Sequence, residues 1–109
     1  MKKIAVFASG GGTDFQSIID ANENSPFCEI TYLVASKPQI GAIESAQKHG
    51  IKPIVYDKSV FESKDAFYAH VAKTLKESGV DYIVLAGWLL VVPAAFIEQF
   101  EDAIINIHP

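Results

Sequence analysis

The chain predicts an α/β fold, a doubly wound, Rossmann-like parallel sheet with strand order 3-2-1-4-5, and three observations lead there. Short apolar runs alternate with amphipathic stretches from end to end, giving β-α-β-α-β-α-β-α-β with no repeat, low-complexity tract or linker. The first run, Ile4-Ala5-Val6-Phe7-Ala8, has no polar alternation, as a strand covered on both faces requires. Pro53 falls in the third run and cannot donate to a ladder on both sides, which puts that strand at an edge. In this order the winding reverses between strands 1 and 4, and ligands bind at such a switch point.

Each element has its own justification. After the first strand, Gly10-Gly11-Gly12 lead into a helix with Thr13 as its cap and Gln16 completing a capping-box spacing. Phe15, Ile18 and Ile19 form that helix's apolar stripe. Backbone N–H groups of Gly11, Gly12 and Thr13 beside a helix N-terminus would suit a phosphate, with a ligand-free tight turn as the plainer alternative. The spacing is not that of a dinucleotide loop, because position 15 is Phe, and it lacks the lysine of a nucleoside-triphosphate loop.

The helix stops before Pro26, and Glu29 to Ala35 forms the second strand. Cys28 at its entrance reads as a small buried hydrophobe rather than a nucleophile. Gly41 to Lys48 is a short helix with Ile43 and Ala46 inward, closed by Gly50, and His49 favours its negative end. Lys52 to Tyr56 is the edge strand. Ser63 caps a longer helix to about Ser78, with Phe67, Val71 and Leu75 inward, His70 on the surface and Gly79 after it. Val80 to Ala86 is the most apolar strand and should lie centrally.

Gly87 to Val92 is an apolar loop that either covers the core or lines a ligand pocket. Pro93 opens a short helix through Phe100. The last strand, Ala103 to Ile107, runs into His108 and Pro109. Along it Ile104, Asn106 and His108 share one face and Ala103, Ile105 and Ile107 the other. A carboxamide that can donate to an oxyanion and an imidazole that titrates near neutrality then point the same way, a pair suited to acyl transfer; a capped strand with a hydrogen-bonded histidine is the simpler reading.

Composition narrows the partners. The 109 residues, 50% hydrophobic, fit one domain with one core, 1–109. A net charge of -4 argues against nucleic acid, since phosphate neutralisation needs a basic face. All nine cationic residues are lysines, scattered except for Lys2-Lys3, so they read as solvated positions rather than a binding patch. No apolar run is long enough to span a bilayer, so no membrane partner is expected. One cysteine permits no internal disulfide, and a reducing cytoplasm fits.

Three segments, Ser9-Gly10-Gly11-Gly12-Thr13, Leu85-Ala86-Gly87-Trp88 and Asn106-Ile107-His108-Pro109, resemble the phosphoribosylglycinamide formyltransferase family along the whole chain. That resemblance implies the N-terminal part of a formyltransferase fold. The implied reaction is transfer of a formyl group from 10-formyltetrahydrofolate, as cosubstrate and without metal, to glycinamide ribonucleotide in de novo purine biosynthesis. It implies further that Gly11, Gly12, Thr13 and Asp14 hold the substrate phosphate, that Trp88, Leu89, Leu90, Val91 and Val92 line the folate pocket, and that Asn106 and His108 are catalytic.

Asp14 stands where the family usually has Asn, and Leu90 where relatives are often basic. The final motif is shared with other folate-dependent formyltransferases and with 10-formyltetrahydrofolate hydrolases. The glycine loop is what sets this family apart from the methionyl-tRNA formyltransferases. A non-catalytic phosphometabolite-binding domain is the alternative from another class. Because members continue past the last motif to a catalytic aspartate and more strands, the 109 residues are expected to be inactive alone. Their last strand would then leave an apolar edge that favours a homodimer or aggregation.

Overall fold

In a computed structural model, which describes residues 1–9, 13–38 and 41–107, the nine elements come in the predicted order. They are β1 (Lys2–Ala8), α1 (Thr13–Asn24), β2 (Cys28–Ala35), α2 (Gly41–Lys48), β3 (Lys52–Val55), α3 (Lys64–Glu77), β4 (Tyr82–Ala86), α4 (Ala94–Gln99) and β5 (Ile104–Ile107). The sheet is parallel throughout, in the order β3-β2-β1-β4-β5. Pro53 lies on β3, which pairs with β2 alone, as a residue lacking an N–H donor demands. β4 is interior, between β1 and β5, and the middle place goes to β1.

Alternation along β1 splits the core in two. Val6 and Ala8 face a layer built from Phe15 and Ile19 of α1 and Ala42 and Ala46 of α2. Ala5 and Phe7 face the opposite layer, with Phe67, Val71 and Leu75 of α3 and Phe96 of α4. The predicted i, i+4, i+8 stripe on α3 is fully buried, and Tyr68, one residue off that stripe, is buried with it. Burying side chains of this size stabilises by roughly 1.5–3 kcal/mol each relative to exposure, so both layers anchor the loops that leave the sheet's carboxyl edge.

Element ends follow local chemistry. Ser63 Oγ accepts the Ala66 N–H at 3.1 Å, capping α3 as predicted. Thr13 is the first residue of α1 rather than a residue preceding it. β4 begins two residues later than predicted, because the Val80 N–H donates to the Leu75 carbonyl and so belongs to the turn closing α3. At the same edge, the Lys3 N–H donates to the Asp81 carboxylate at 2.8 Å and the Asp81 N–H to the Lys3 carbonyl at 2.7 Å, pinning the starts of β1 and β4 together.

β1 and β2 slip by one residue midway. Ile4 lies opposite Ile30 but Ala5 opposite Tyr32, so Thr31 has no partner in the ladder. Its hydroxyl donates to the Ile4 carbonyl at 3.0 Å, which closes the bulge.

Candidate active site

The five strands end at one level. Val55, Ala35, Ala8, Ala86 and Ile107 are successive register partners across the sheet, so the chain following each strand leaves from a common carboxyl edge. The switch point predicted from the sequence lies between β1 and β4 at that edge. Thr13 and Asp14 open α1, directly after Gly10-Gly11-Gly12 in sequence. Gly11, Gly12 and His108, the other predicted phosphate and catalytic positions, lie outside the described residues.

The loop after β4 is held in place by two hydrogen bonds from successive residues. Gly87 leaves the strand at φ 70°, a left-handed conformation that a side chain would strain. Trp88 then turns its ring inward, edge-on to Phe7 with centroids 5.1 Å apart, and its Nε1–H donates to the Tyr68 hydroxyl at 3.0 Å. Next, the Leu89 N–H donates to Ser9 Oγ at 3.0 Å. Ser9, 4% exposed after the end of β1, therefore couples the exit of β1 to the β4 loop. Burial raises the Tyr68 phenol above its ordinary range, against the smaller downward pull of the Trp88 hydrogen bond.

The loop's predicted ligand residues thus divide. Trp88 is engaged with the core, and Val92 packs on the same layer, whereas Leu89 and Val91 are 82% and 86% exposed. Leu90 lines a cleft of about 430 Å3 that continues over the ends of β2 and β3, where Pro38 and Tyr56 supply apolar surface. The cleft's rim carries Lys37, Lys58 and Lys64. The grouping of these three lysines and the bond of Ser9 to the β4 loop are what sequence reasoning missed: the lysines come from separate elements, and Ser9 stood out only as the start of the glycine-rich segment.

Asn106 sits on β5 opposite Leu85 of β4 and is exposed. Ile104, two residues earlier, packs on the α3–α4 layer, so alternation sets Asn106 on that same face. The carboxamide therefore lies one residue below the sheet's carboxyl edge, on the side of the Trp88 loop.

A larger hollow, about 770 Å3, lies at the opposite, amino edge beside Cys28, Lys3 and His49. It is remote from the switch point, and several of its polar groups are already engaged. Asn22 Oδ1 accepts the Phe27 and Cys28 N–H groups at 3.0 and 3.2 Å while Nδ2 donates to the Cys28 carbonyl at 2.9 Å. His49 Nε2 lies 3.3 Å from Glu23. Burial pushes the Cys28 thiol up, away from the thiolate that a nucleophile needs, as expected of a small buried residue.

With this geometry in view, comparison with known proteins is informative. The family model described as "Formyl transferase" matches residues 2–109. The chain is 39% identical over 109 residues to "Phosphoribosylglycinamide formyltransferase, chloroplastic" of Vigna unguiculata, covering 99% of this chain and 35% of that protein. It is 34% identical over 110 residues to the phosphoribosylglycinamide formyltransferase of Bacillus subtilis (strain 168), covering 100% of this chain and 56% of that one. The crystal structure of glycinamide ribonucleotide transformylase 1 from Geobacillus kaustophilus matches with a TM-score of 0.92 at 35% identity, over 100% of this chain and 58% of that chain. The chain spans between about a third and somewhat more than half of the length of these relatives.

Proposed function

Because the chain belongs to the formyl transferase family, we propose that the intact protein transfers a formyl group from 10-formyltetrahydrofolate to the amine of glycinamide ribonucleotide, and that these residues hold the phosphate site and part of the catalytic site. The observation that supports this reading is the switch point between β1 and β4 at the carboxyl edge, where the β4 loop bonds to Ser9 at the end of β1, with Asn106 on the strand next to β4. The glycine-rich stretch favours a phosphate-bearing acceptor over the water of a hydrolase, the net charge of -4 disfavours a tRNA, and the relatives' names agree with a ribonucleotide acceptor.

Chemistry at the site follows from residue type. Gly11, Gly12, Thr13 and Asp14 hold the acceptor's phosphate through backbone N–H groups at the positive end of α1. The exposed apolar side chains of Leu89 and Val91, with Leu90 and Val92, accommodate the folate's ring system, while Trp88 braces the loop from inside. The amine nitrogen bonds to the formyl carbon, and Asn106 donates to the oxygen as negative charge develops there. The bond from that carbon to the folate nitrogen then breaks, and His108 passes the proton lost by the amine to the departing nitrogen. Products are formylated ribonucleotide and tetrahydrofolate.

The cytoplasm suits a chain with one unpaired cysteine. A homodimer also belongs to this reading; sedimentation of the intact protein showing only monomer removes that part. The decisive assay incubates the intact protein with glycinamide ribonucleotide and 10-formyltetrahydrofolate. Formylated ribonucleotide is the expected product. Formate release alone, or transfer only to another acceptor, would overturn the assignment.

A further inference from the structure

Leu89 owes its place to its backbone. Its side chain is 82% exposed, so packing does not fix it, while its N–H reaches Ser9 Oγ at 3.0 Å. Trp88, one residue earlier, is held separately by Phe7 and by the Tyr68 hydroxyl. The Ser9 bond therefore ties the outward stretch, Leu89 to Val91, to the end of β1. With an exposed side chain at one end, opening that bond costs only about what a neutral hydrogen bond is worth. On its entering side Ser9 is fixed within the sheet: the Ala8 carbonyl accepts the Ser36 N–H at 3.3 Å, and Ala8 lies opposite Ala86 of β4. On its leaving side Gly10 alone separates it from Gly11 in sequence. A phosphate held by the amides of Gly11 to Thr13 would fix the direction in which the chain leaves Ser9, and so the aim of its hydroxyl. One buried oxygen thus stands between the segment assigned to the acceptor and the loop assigned to the donor.

We infer that Ser9 is a positioning residue that couples the two substrates: acceptor phosphate steadies its hydroxyl, the hydroxyl holds Leu89, and the loop is then already ordered for the folate. Whichever substrate binds first meets the cost of ordering, so the second binds more tightly, and by linkage each raises the other's affinity by the same factor. The inference rests on the reading that the phosphate and the formylfolate occupy these two segments.

The test titrates tetrahydrofolate, which has no formyl group to transfer, into the intact protein by calorimetry, with and without saturating glycinamide ribonucleotide. The acceptor should lower the Kd of the folate about fivefold, the scale that one neutral hydrogen bond allows, and hydrogen exchange of the Leu89 amide should slow by a similar factor. In Ser9→Ala the two Kd values should coincide. An amide-to-ester replacement at Leu89, which deletes the N–H and keeps both side chains, should give the same loss, with nothing further lost when it is combined with Ser9→Ala. Tyr68→Phe, which loosens Trp88 from the other side, should weaken folate binding in both titrations while keeping their ratio, a separation that general loosening of the loop would not produce. Equal Kd values in the unaltered protein, or a ratio that survives in Ser9→Ala, would overturn the inference while formyl transfer stands. Ser9-dependent coupling in a protein that transfers no formyl would uphold the inference and refute the transferase.

Discussion

The indole N–H of Trp88 donates to the Tyr68 hydroxyl at 3.0 Å, so a residue of the β4 loop is fastened to a buried residue of α3. Removing the acceptor with Tyr68→Phe leaves a half-buried donor without its partner, which costs about 1–2 kcal/mol. Denaturant unfolding should show that loss. In the intact protein the loosened loop should raise KM for the formyl donor more than it lowers kcat, and an unchanged KM would show that the bond serves stability alone.

Asn106 and His108 are assigned to the transition state rather than to packing, since Asn106 is exposed on β5. Replacing either by Ala should lower kcat by about 10²–10³ with little change in melting temperature. A variant that melts much earlier yet turns over normally would mark a structural histidine capping the strand instead.

Asp14 is the second residue of α1, next to the backbone N–H groups proposed to hold a phosphate, and its residue type brings a negative charge to that segment. Asp14→Asn removes a like charge and should tighten phosphate binding by about 0.5–1 kcal/mol at such a site. The measurement is a phosphate titration followed by NMR, in which the amides of Gly11, Gly12 and Thr13 should shift. Shifts confined to other amides would dismiss the anion site.

Cys28 and Tyr68 both have pKa values raised by burial, from ordinary values of 9.0 and 10.0. Below those values both groups are protonated whether the chain is folded or not, and their contribution to stability is fully present. As pH rises through and beyond them, the unfolded chain releases protons that the folded chain retains, so stability falls. Melts should therefore be flat with respect to these groups below about pH 9 and decline above it, with Cys28→Ala removing the earlier part of the decline. A thiol reagent at neutral pH should label Cys28 only as the chain unfolds.

Much of the fold was legible because it depends on local pattern. Pro53 marked the edge strand, the Phe67, Val71 and Leu75 spacing gave the buried side of α3, and Gly41 to Lys48 emerged with its predicted bounds. What escaped depends on distant residues meeting. Composition left open whether the Gly87 to Val92 loop covers the core or lines a pocket, and the structure splits it: Trp88 goes inward because Phe7 and Tyr68 provide an aromatic wall and an acceptor, while Leu89 and Val91 go outward. Lys37, Lys58 and Lys64 looked like solvated positions because only the folded sheet edge brings them to one cleft. The slip at Thr31 left no periodic trace, since the apolar residues on either side of it already alternate correctly for a shorter strand.

That slip bears on how the chain tolerates changes in length. Cys28, Ile30, Leu33 and Ala35 belong to one core and Tyr32 and Val34 to the other, the assignment that an unbroken strand without Thr31 would give. A deletion at Thr31 therefore keeps every side chain of β2 in its own layer at the loss of one hydroxyl bond. A deletion at Ala5, on a strand with no residue to spare, would exchange the layers of Val6, Phe7 and Ala8 and turn the sheet's centre inside out. The middle of β2 is thus a neutral site for an indel within an otherwise length-locked sheet, and homologues aligned through it can differ by one residue there without any change of fold.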